Sequence, residues 1–345
     1  MSYLDSKRIV GTNTQRDTFA DVAGGWKELG RSSGASQLDV SSLADKRYYM
    51  VLFHKPSGNA AYSLRLNADS GNNYSRRYSN NGGTDTTNTS QSSLFGNNLY
   101  FGNYNEFAVA YIANKSDKEK LGIFHAISGQ TAGAGNAPSR IEIGSKWVNT
   151  SNAINRIQTA GTMTDSNSEM VVLGWDPDDT HTDNFWEQLA DVTLSSAGVL
   201  SSGTFTAKKY LWVQAYTPSS TNSSPDGYIE FNGDSGTNYA HRRSHNGGSD
   251  TTGTSDGVGI RIDGTGGQTA KFHNFFIINN SSNEKLVIAH SITGNTAGAG
   301  TAPSRTESVG KWITTGSQIT RVDIIDQYSS SAWGSGSFIK VWGSN

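Results

Sequence analysis

The sequence predicts an all-β protein made of two tandem β-sandwich domains, jelly-roll-like and related by internal duplication. Three observations predict it: a domain-length repeat, strand-length apolar runs without a helical period, and a turn-rich composition. Asn67-Ala-Asp69-Ser70-Gly71-Asn-Asn73-Tyr74 returns as Asn232-Gly-Asp234-Ser235-Gly236-Thr-Asn238-Tyr239. Thr131 to Arg140 returns as Thr296 to Arg305 with nine of ten residues identical. The offset is 165 residues in both blocks and holds from Asn67/Asn232 to Ile154/Ile319. Lys46-Arg-Tyr48 and Lys208-Lys-Tyr210 lie 162 apart, so three residues enter between Pro218 and Asn232. A repeat this long is a whole domain, well beyond the ~20–50 residues of a solenoid unit.

A chain of 345 residues has room for two cores of ordinary size. Its 39 glycines, 6 prolines and 10% aromatics suit short strands joined by many turns. A net charge of −2 supplies no field that would gather nucleic acid or an anionic membrane. Cysteine is absent, which excludes disulfides, thiolate metal sites and a cysteine nucleophile. No run approaches the ~18 apolar residues of a membrane span, and the N-terminus lacks the apolar core of a signal peptide. The expectation is a soluble protein of the cytoplasm, or of a particle assembled there.

Residues 1–23 precede the repeat and read as a leader or as an arm that docks on a neighbour. The first domain, 24–175, opens at Trp26-Lys-Glu-Leu29, and the second, 184–345, at the matching Trp186-Glu-Gln-Leu189. Between them, 176–183 is an acidic linker containing Asp176, Asp178, Asp179 and Asp183. It is too short to let the copies roam, which predicts a fixed pair. Strands are predicted in the first copy at Tyr48–Phe53, Tyr62–Leu66, Phe107–Ile112, Leu121–Ile127, Ile154–Ile157 and Met170–Leu173. In the second they fall at Tyr210–Tyr216, Tyr228–Phe231, Phe272–Ile278, Leu286–Ile292, Ile319–Ile325 and Phe338–Trp342. Tyr228–Phe231 and Ile319–Ile324 alternate like strands wet on one face, whereas Phe275–Ile278 is continuous, as in a strand buried on both.

The first shared block, 67–87, is identical to its counterpart at fourteen of twenty-one positions. Oxygen donors at Asn67 and Asp69, and at Asn232 and Asp234, make a candidate calcium loop, although no bidentate Glu follows at loop spacing. The competing reading is a tight turn, with Asp closing an Asx hydrogen bond and Gly71 in a left-handed conformation. Asn81-Gly82-Gly83 and Asn246-Gly247-Gly248 carry hairpin-turn chemistry. Arg77 with Asp85, and Arg242 with Asp250, are expected to pair as a fold-defining salt bridge or to form an anion or sugar site.

The second block, Ala132-Gly-Ala-Gly135-Asn-Ala-Pro-Ser-Arg140, follows a strand and leads into another strand. Without a helix N-terminus it cannot cradle a phosphate. Its small residues suggest close backbone approach to a strand, another copy or a flat ligand. Arg140 with Glu142, and Arg305 with Glu307, alternate onto one strand face as exposed or interface ion pairs. Trp147 and Trp312, each after a lysine, are candidate stacking platforms for a sugar, or else core anchors. His125 and His290 end equivalent strands. His241 and His245 occur only in the second copy. No nucleophile, base and carboxylate recur at triad spacing, and no two carboxylates are placed to face across a cleft. No catalytic residue is therefore assigned and no cofactor is expected, calcium being the one metal considered.

Arg65-Leu-Asn-x-Asp-Ser-Gly-x-Asn-Tyr74, the Asn81 to Thr87 turn, Ala132 to Arg140, Lys146-Trp147 and the final Val341-Trp-Gly343 together resemble structural proteins of marine tailed phages. The resemblance spans 26–345 and implies a virion component: a head decoration, a coat subunit or a tail-appendage part. It carries no functional residue with it. The first expectation is thus a non-enzymatic virion protein that forms homo-oligomers and joins other virion proteins, with no nucleic acid or membrane partner. The second is a carbohydrate-binding adhesin with two equivalent sites for surface glycans, gaining avidity from the pair. A double jelly-roll capsid protein is the third.

Overall fold

The fold follows from strands that are apolar on both faces. A computed structural model describes residues 25–58, 63–95, 104–179, 184–220, 222, 225–263, 269–294, 298–328 and 333–345. The predicted arm, 1–23, and the linker residues 180–183 lie outside them. The first copy contains β1 (Lys27–Ser33), β2 (Asp39–Ser41), β3 (Tyr48–Lys55), β4 (Leu64–Leu66), β5 (Tyr74–Asn80), β6 (Thr86–Gln91), β7 (Glu106–Ala113), β8 (Lys120–Ser128), β9 (Ser139–Trp147), β10 (Arg156–Thr159) and β11 (Glu169–Trp175). The second contains β12 (Glu187–Thr193), β13 (Leu200–Ser201), β14 (Tyr210–Thr217), β15 (Gly227–Phe231), β16 (Tyr239–His245), β17 (Thr251–Asp256), β18 (Ile260–Arg261), β19 (Lys271–Ile278), β20 (Lys285–Thr293), β21 (Ser304–Trp312), β22 (Val322–Asp326) and β23 (Phe338–Ser344).

Each copy is a sandwich of unequal sheets. The first pairs an eight-stranded sheet, β1-β11-β3-β7-β8-β9-β5-β6, with a three-stranded one, β2-β10-β4. The second repeats that order as β12-β23-β14-β19-β20-β21-β16-β17 over a four-stranded sheet, β13-β22-β15-β18. The protein is therefore all-β, with two tandem β-sandwiches in the same strand order, as the duplication predicts.

Side-chain alternation sorts each large sheet into two apolar faces. Tyr49, Val51 and Phe53 of β3, with Ala108, Ala110 and Ile112 of β7, point into the first sandwich core. Leu211, Val213 and Ala215 of β14, with Phe275 and Ile277 of β19, do so in the second. The intervening residues build a third core, between the two large sheets: Met50, Leu52, Phe107 and Val109 meet Tyr210, Phe276, Ile278, Leu286 and Ile288. The copies are a fixed pair, four sheets deep. Phe275-Phe-Ile-Ile278 is continuous because it serves two cores at once.

The alternation at Ile319–Ile325 does not make one strand, since β22 begins at Val322. There Ile319 N and the Asn279 side chain form a buried cross-link at 2.6 Å, which holds the chain out of the ladder. In the first copy, Ile154 N binds Asn114 Oδ1 in the same way at 3.0 Å.

Candidate functional site

The first shared block builds a turn that clamps a tryptophan. Asn67 and Ala68, at φ 51° and 58°, are both left-handed, and Asp69 N returns to Leu66 O at 3.0 Å. That is a type I′ turn at the end of β4. Gly71 is not the left-handed residue; a Cβ there would lie 2.8 Å from Asn73 Nδ2 and 3.1 Å from Asp69 Oδ1, so a side chain would have to push the Asn73 amide off the Asp69 carboxylate. The Asp69 carboxylate accepts from Gly71 N (2.8 Å), from Asn73 Nδ2 (2.9 Å) and from Trp147 Nε1 (2.7 Å). Asp234 repeats all three bonds with Gly236 N, Asn238 Nδ2 and Trp312 Nε1.

These contacts decide two alternatives, for the Asx turn over calcium and for core anchors over sugar platforms. The oxygens proposed for calcium do not converge: Asn67 Oδ1 accepts from Asn155 N (2.8 Å) and Asn232 Oδ1 from Thr320 N (2.9 Å), while the Asp69 and Asp234 carboxylates are occupied as above. Burial raises the Asp69 carboxyl pKa, but the Trp147, Asn73 and Gly71 donors outweigh it and hold it below the usual carboxylate range. Trp147, 1% exposed, and Trp312, 2% exposed, are core anchors and present no face to a sugar. The amine of Lys120 lies 5.8 Å from the centre of the Trp147 ring, and that of Lys285 lies 5.9 Å from that of Trp312. Among the described residues, no group of three or more His, Asp or Glu gathers as a metal site.

The shared Arg–Asp spacing also resolves differently from expectation. Arg77 and Asp85 are both exposed and sit 3.8 Å apart, a solvated pair that defines no core. Arg242 is 4.0 Å from Asp250, but Asp250 is buried because Arg140 of the other copy binds it at 2.7 Å. Arg140 also pairs with Glu142 and approaches Glu307 at 3.6 Å. Its counterpart Arg305 is exposed and pairs with Glu307 of its own copy. The Arg140 pair is thus the interface pair of the two expected forms, and the Arg305 pair the exposed one.

The small-residue block does touch the other copy: Gly133 N binds Glu284 Oε1 at 2.6 Å, and Ser255 N binds Ala134 O at 2.7 Å. Its glycines, however, are not there for close packing, since a Cβ at Gly133 or Gly135 would meet nothing within 4 Å. Gly133, at φ 95°, instead supplies a backbone shape that other residues resist.

His125 and His290 lie mid-strand, because β8 and β20 continue to Ser128 and Thr293. Their rings meet across the interface, centroids 4.3 Å apart. Tyr111 likewise meets its own counterpart, Phe276, at 6.2 Å. Two contacts between equivalent residues place a local pseudo-twofold axis between the large sheets. Burial, then nearby Arg140, pushes the His125 pKa down to about 4; burial, then His125, pushes that of His290 down to about 3. The pair packs as neutral rings, with Glu142 and Glu307 as their cross-strand neighbours. His241 and His245, four apart on strand β16, stand about 13 Å from each other and cannot share a metal.

The interface is asymmetric about that axis, and an open cleft results. Trp26, Tyr48, Tyr111, Leu121, Ile123 and Trp175 line a cavity of ≈430 Å³ on the outer face of the first large sheet. Tyr48 stacks on Trp175 at 5.3 Å, and Trp26 leans on Tyr111 at 6.4 Å. The walls are almost wholly apolar. Sequence reading placed Tyr48, Tyr111, Leu121 and Ile123 in strands and took Trp26 and Trp175 as the bounds of the first domain; the available signal was the second apolar face of strands such as Leu121 to Ile127.

No family model matches the sequence, and no curated protein matches it. Among solved structures, the chain is similar to mouse laminin alpha1 chain domains LG4-5 at 10% identity, covering 93% of this chain and 89% of that one, with a TM-score of 0.21. It is similar to HCR/D-Sa-GBL1/C at 9% identity, covering 92% and 85%, with a TM-score of 0.19. A BenF-like porin from Pseudomonas fluorescens Pf-5 aligns at 8% identity over 87% and 98%, with a TM-score of 0.11. Scores this low carry no argument about this chain.

Proposed function

We propose that the chain is a non-enzymatic structural component of a virion (capsid decoration, coat or tail-appendage part) that works by joining other subunits through the outer faces of its large sheets. The virion context rests on the resemblance of the repeated phrases to phage structural proteins. The joining role is carried by one observation: an exposed cleft of ≈430 Å³ walled by Trp26, Tyr48, Tyr111, Leu121, Ile123 and Trp175. A small-molecule site sets a few convergent polar groups among its apolar walls to fix orientation. This cleft has aromatic and aliphatic walls without such a set, which favours a protein surface as occupant.

A glycan adhesin remains the second reading, moved from Trp147 and Trp312 to the Tyr48–Trp175 stack. A sugar ring would find an aromatic face there but few partners for its hydroxyls. Mass spectrometry of purified particles, with sedimentation velocity of the isolated chain, tests the first reading. The chain is expected in the particles and in species larger than the monomer. A chain that is absent from particles, stays monomeric and binds a glycan array would replace it with the adhesin.

A further inference from the structure

We infer that a second copy of this chain docks on the cleft, presenting the matching end of its own second large sheet. The inference deepens the structural reading and rests on it. It starts from pairs of equivalent residues with opposite exposure. Leu121 and Ile123 are each 57% exposed, whereas their counterparts Leu286 and Ile288 are 0% and 2% exposed. Conversely, Phe272 is 39% and Ile292 44% exposed, while Phe107 and Ile127 are 1% and 0%. One half of the pseudo-symmetric interface is closed: Phe107 and Ile127 of the first copy pack in one core with Leu286 and Ile288 of the second. The other half would pair Phe272 and Ile292 with Leu121 and Ile123, and in this chain both sides stay exposed.

Polar contacts confirm the one-sidedness. Lys311 reaches across to Gly129 O (2.9 Å) and Thr131 O (2.7 Å). Its counterpart Lys146 instead holds Glu119 at 3.0 Å within its own copy. Glu169 accepts from Tyr210 across the interface at 2.6 Å and also pairs with Lys209 there. With the Arg140–Asp250 pair, these contacts hold the closed half, and rocking the sheets shut on the open one would break them.

The unpaired end of the second sheet is shaped to dock. Phe338, Tyr216, Phe272 and Ile292 are successive cross-strand partners on β23, β14, β19 and β20, forming one apolar row, with Tyr216 stacked on Phe338 at 5.6 Å. The first copy has Glu169, His54, Phe107 and Ile127 in the equivalent row, and that row is already covered by the second copy. One chain thus carries an apolar row and an apolar cleft, each the counterpart of a surface that docks within the chain. A row of one chain on the cleft of the next is a head-to-tail contact, which propagates until it closes into a ring or runs on as a filament.

Two variants of the full chain separate the faces: Leu121→Asp with Ile123→Asp blocks the cleft, and Phe272→Asp with Ile292→Asp blocks the row. Both pairs are exposed, so each variant should keep the wild-type near-ultraviolet circular dichroism; Ser replacements give the same block if the Asp forms misfold. By sedimentation velocity, the wild type is expected to associate and each variant to lose every species above the monomer. A mixture of the two variants should regain a species of twice the monomer mass and nothing larger, since each retains one intact face. Assembly unchanged in both variants, or a mixture that stays monomeric, overturns this docking and leaves the structural reading standing. A wild-type chain that never associates overturns both.

Discussion

At the scale of single residues, the repeat preserves hydrogen-bonding devices more than reactive groups. Asp69 and Asp234 tie a turn to a buried indole, and the bond to the indole nitrogen is 2.7 Å in each copy. Asp69→Ala should cost about 1–3 kcal/mol, the penalty of leaving a buried N–H unpaired, read as a lower urea midpoint at unchanged slope. Calcium should not raise the melting temperature of the wild type; a rise that the Asp69 and Asp234 variants abolish would restore the metal reading. The buried histidines set the acid response. Burial pushes His54 down to about 4, His241 to about 4 and His273 to about 3. Their folded pKa values lie below the unfolded value near 6.5, so the unfolded chain binds more protons in between. Stability is therefore full above about pH 6.5 and falls as pH drops towards 4, by up to about 1.4 kcal/mol per pH unit for each such histidine. A melting temperature that stays flat between pH 7 and 5 would contradict this.

At the scale of elements, equivalent positions have unequal work. Arg140→Ala breaks a buried pair with Asp250 and should cost about 3 kcal/mol, whereas Arg305→Ala, on a solvated pair, should stay within about 0.5 kcal/mol. Gly133→Ala, forced to φ 95°, should cost about 1 kcal/mol, while Gly135→Ala should be near neutral. Equal losses within either pair, by chemical denaturation, would count against the assigned contacts. The central strands were legible in the sequence because runs rich in aromatic and aliphatic residues, such as Tyr48–Phe53 and Phe272–Ile278, mark them directly. The edge strands β6 and β17 were not, since Thr86–Gln91 and Thr251–Asp256 are polar on both faces and owe their conformation to the neighbouring ladder. The turn chemistry of Asn81-Gly82 was legible, and both residues are left-handed as that turn type demands. What the glycines of the two shared blocks do was not, because spacing alone does not distinguish a need for room from a need for positive φ. The cleft was hidden for another reason: Leu121 and Leu286 look alike in sequence, and only the packing of one sheet on the other separates the exposed from the buried.

At the scale of the whole molecule, duplication has produced a chain whose two halves bind each other incompletely. Three apolar cores hold four sheets together, and the third core covers only part of the face that each large sheet offers. An apolar face left uncovered on a folded chain is a liability unless a partner uses it. The absence of cysteine makes the partner directly testable. Leu121→Cys and Ile292→Cys, combined in one chain and oxidised under mild conditions, report which surfaces meet. The account predicts a ladder of disulfide-linked multimers on non-reducing gels, which collapses to the monomer on reduction. A fast-migrating monomer with the link inside one chain, or two thiols that remain free, would contradict it.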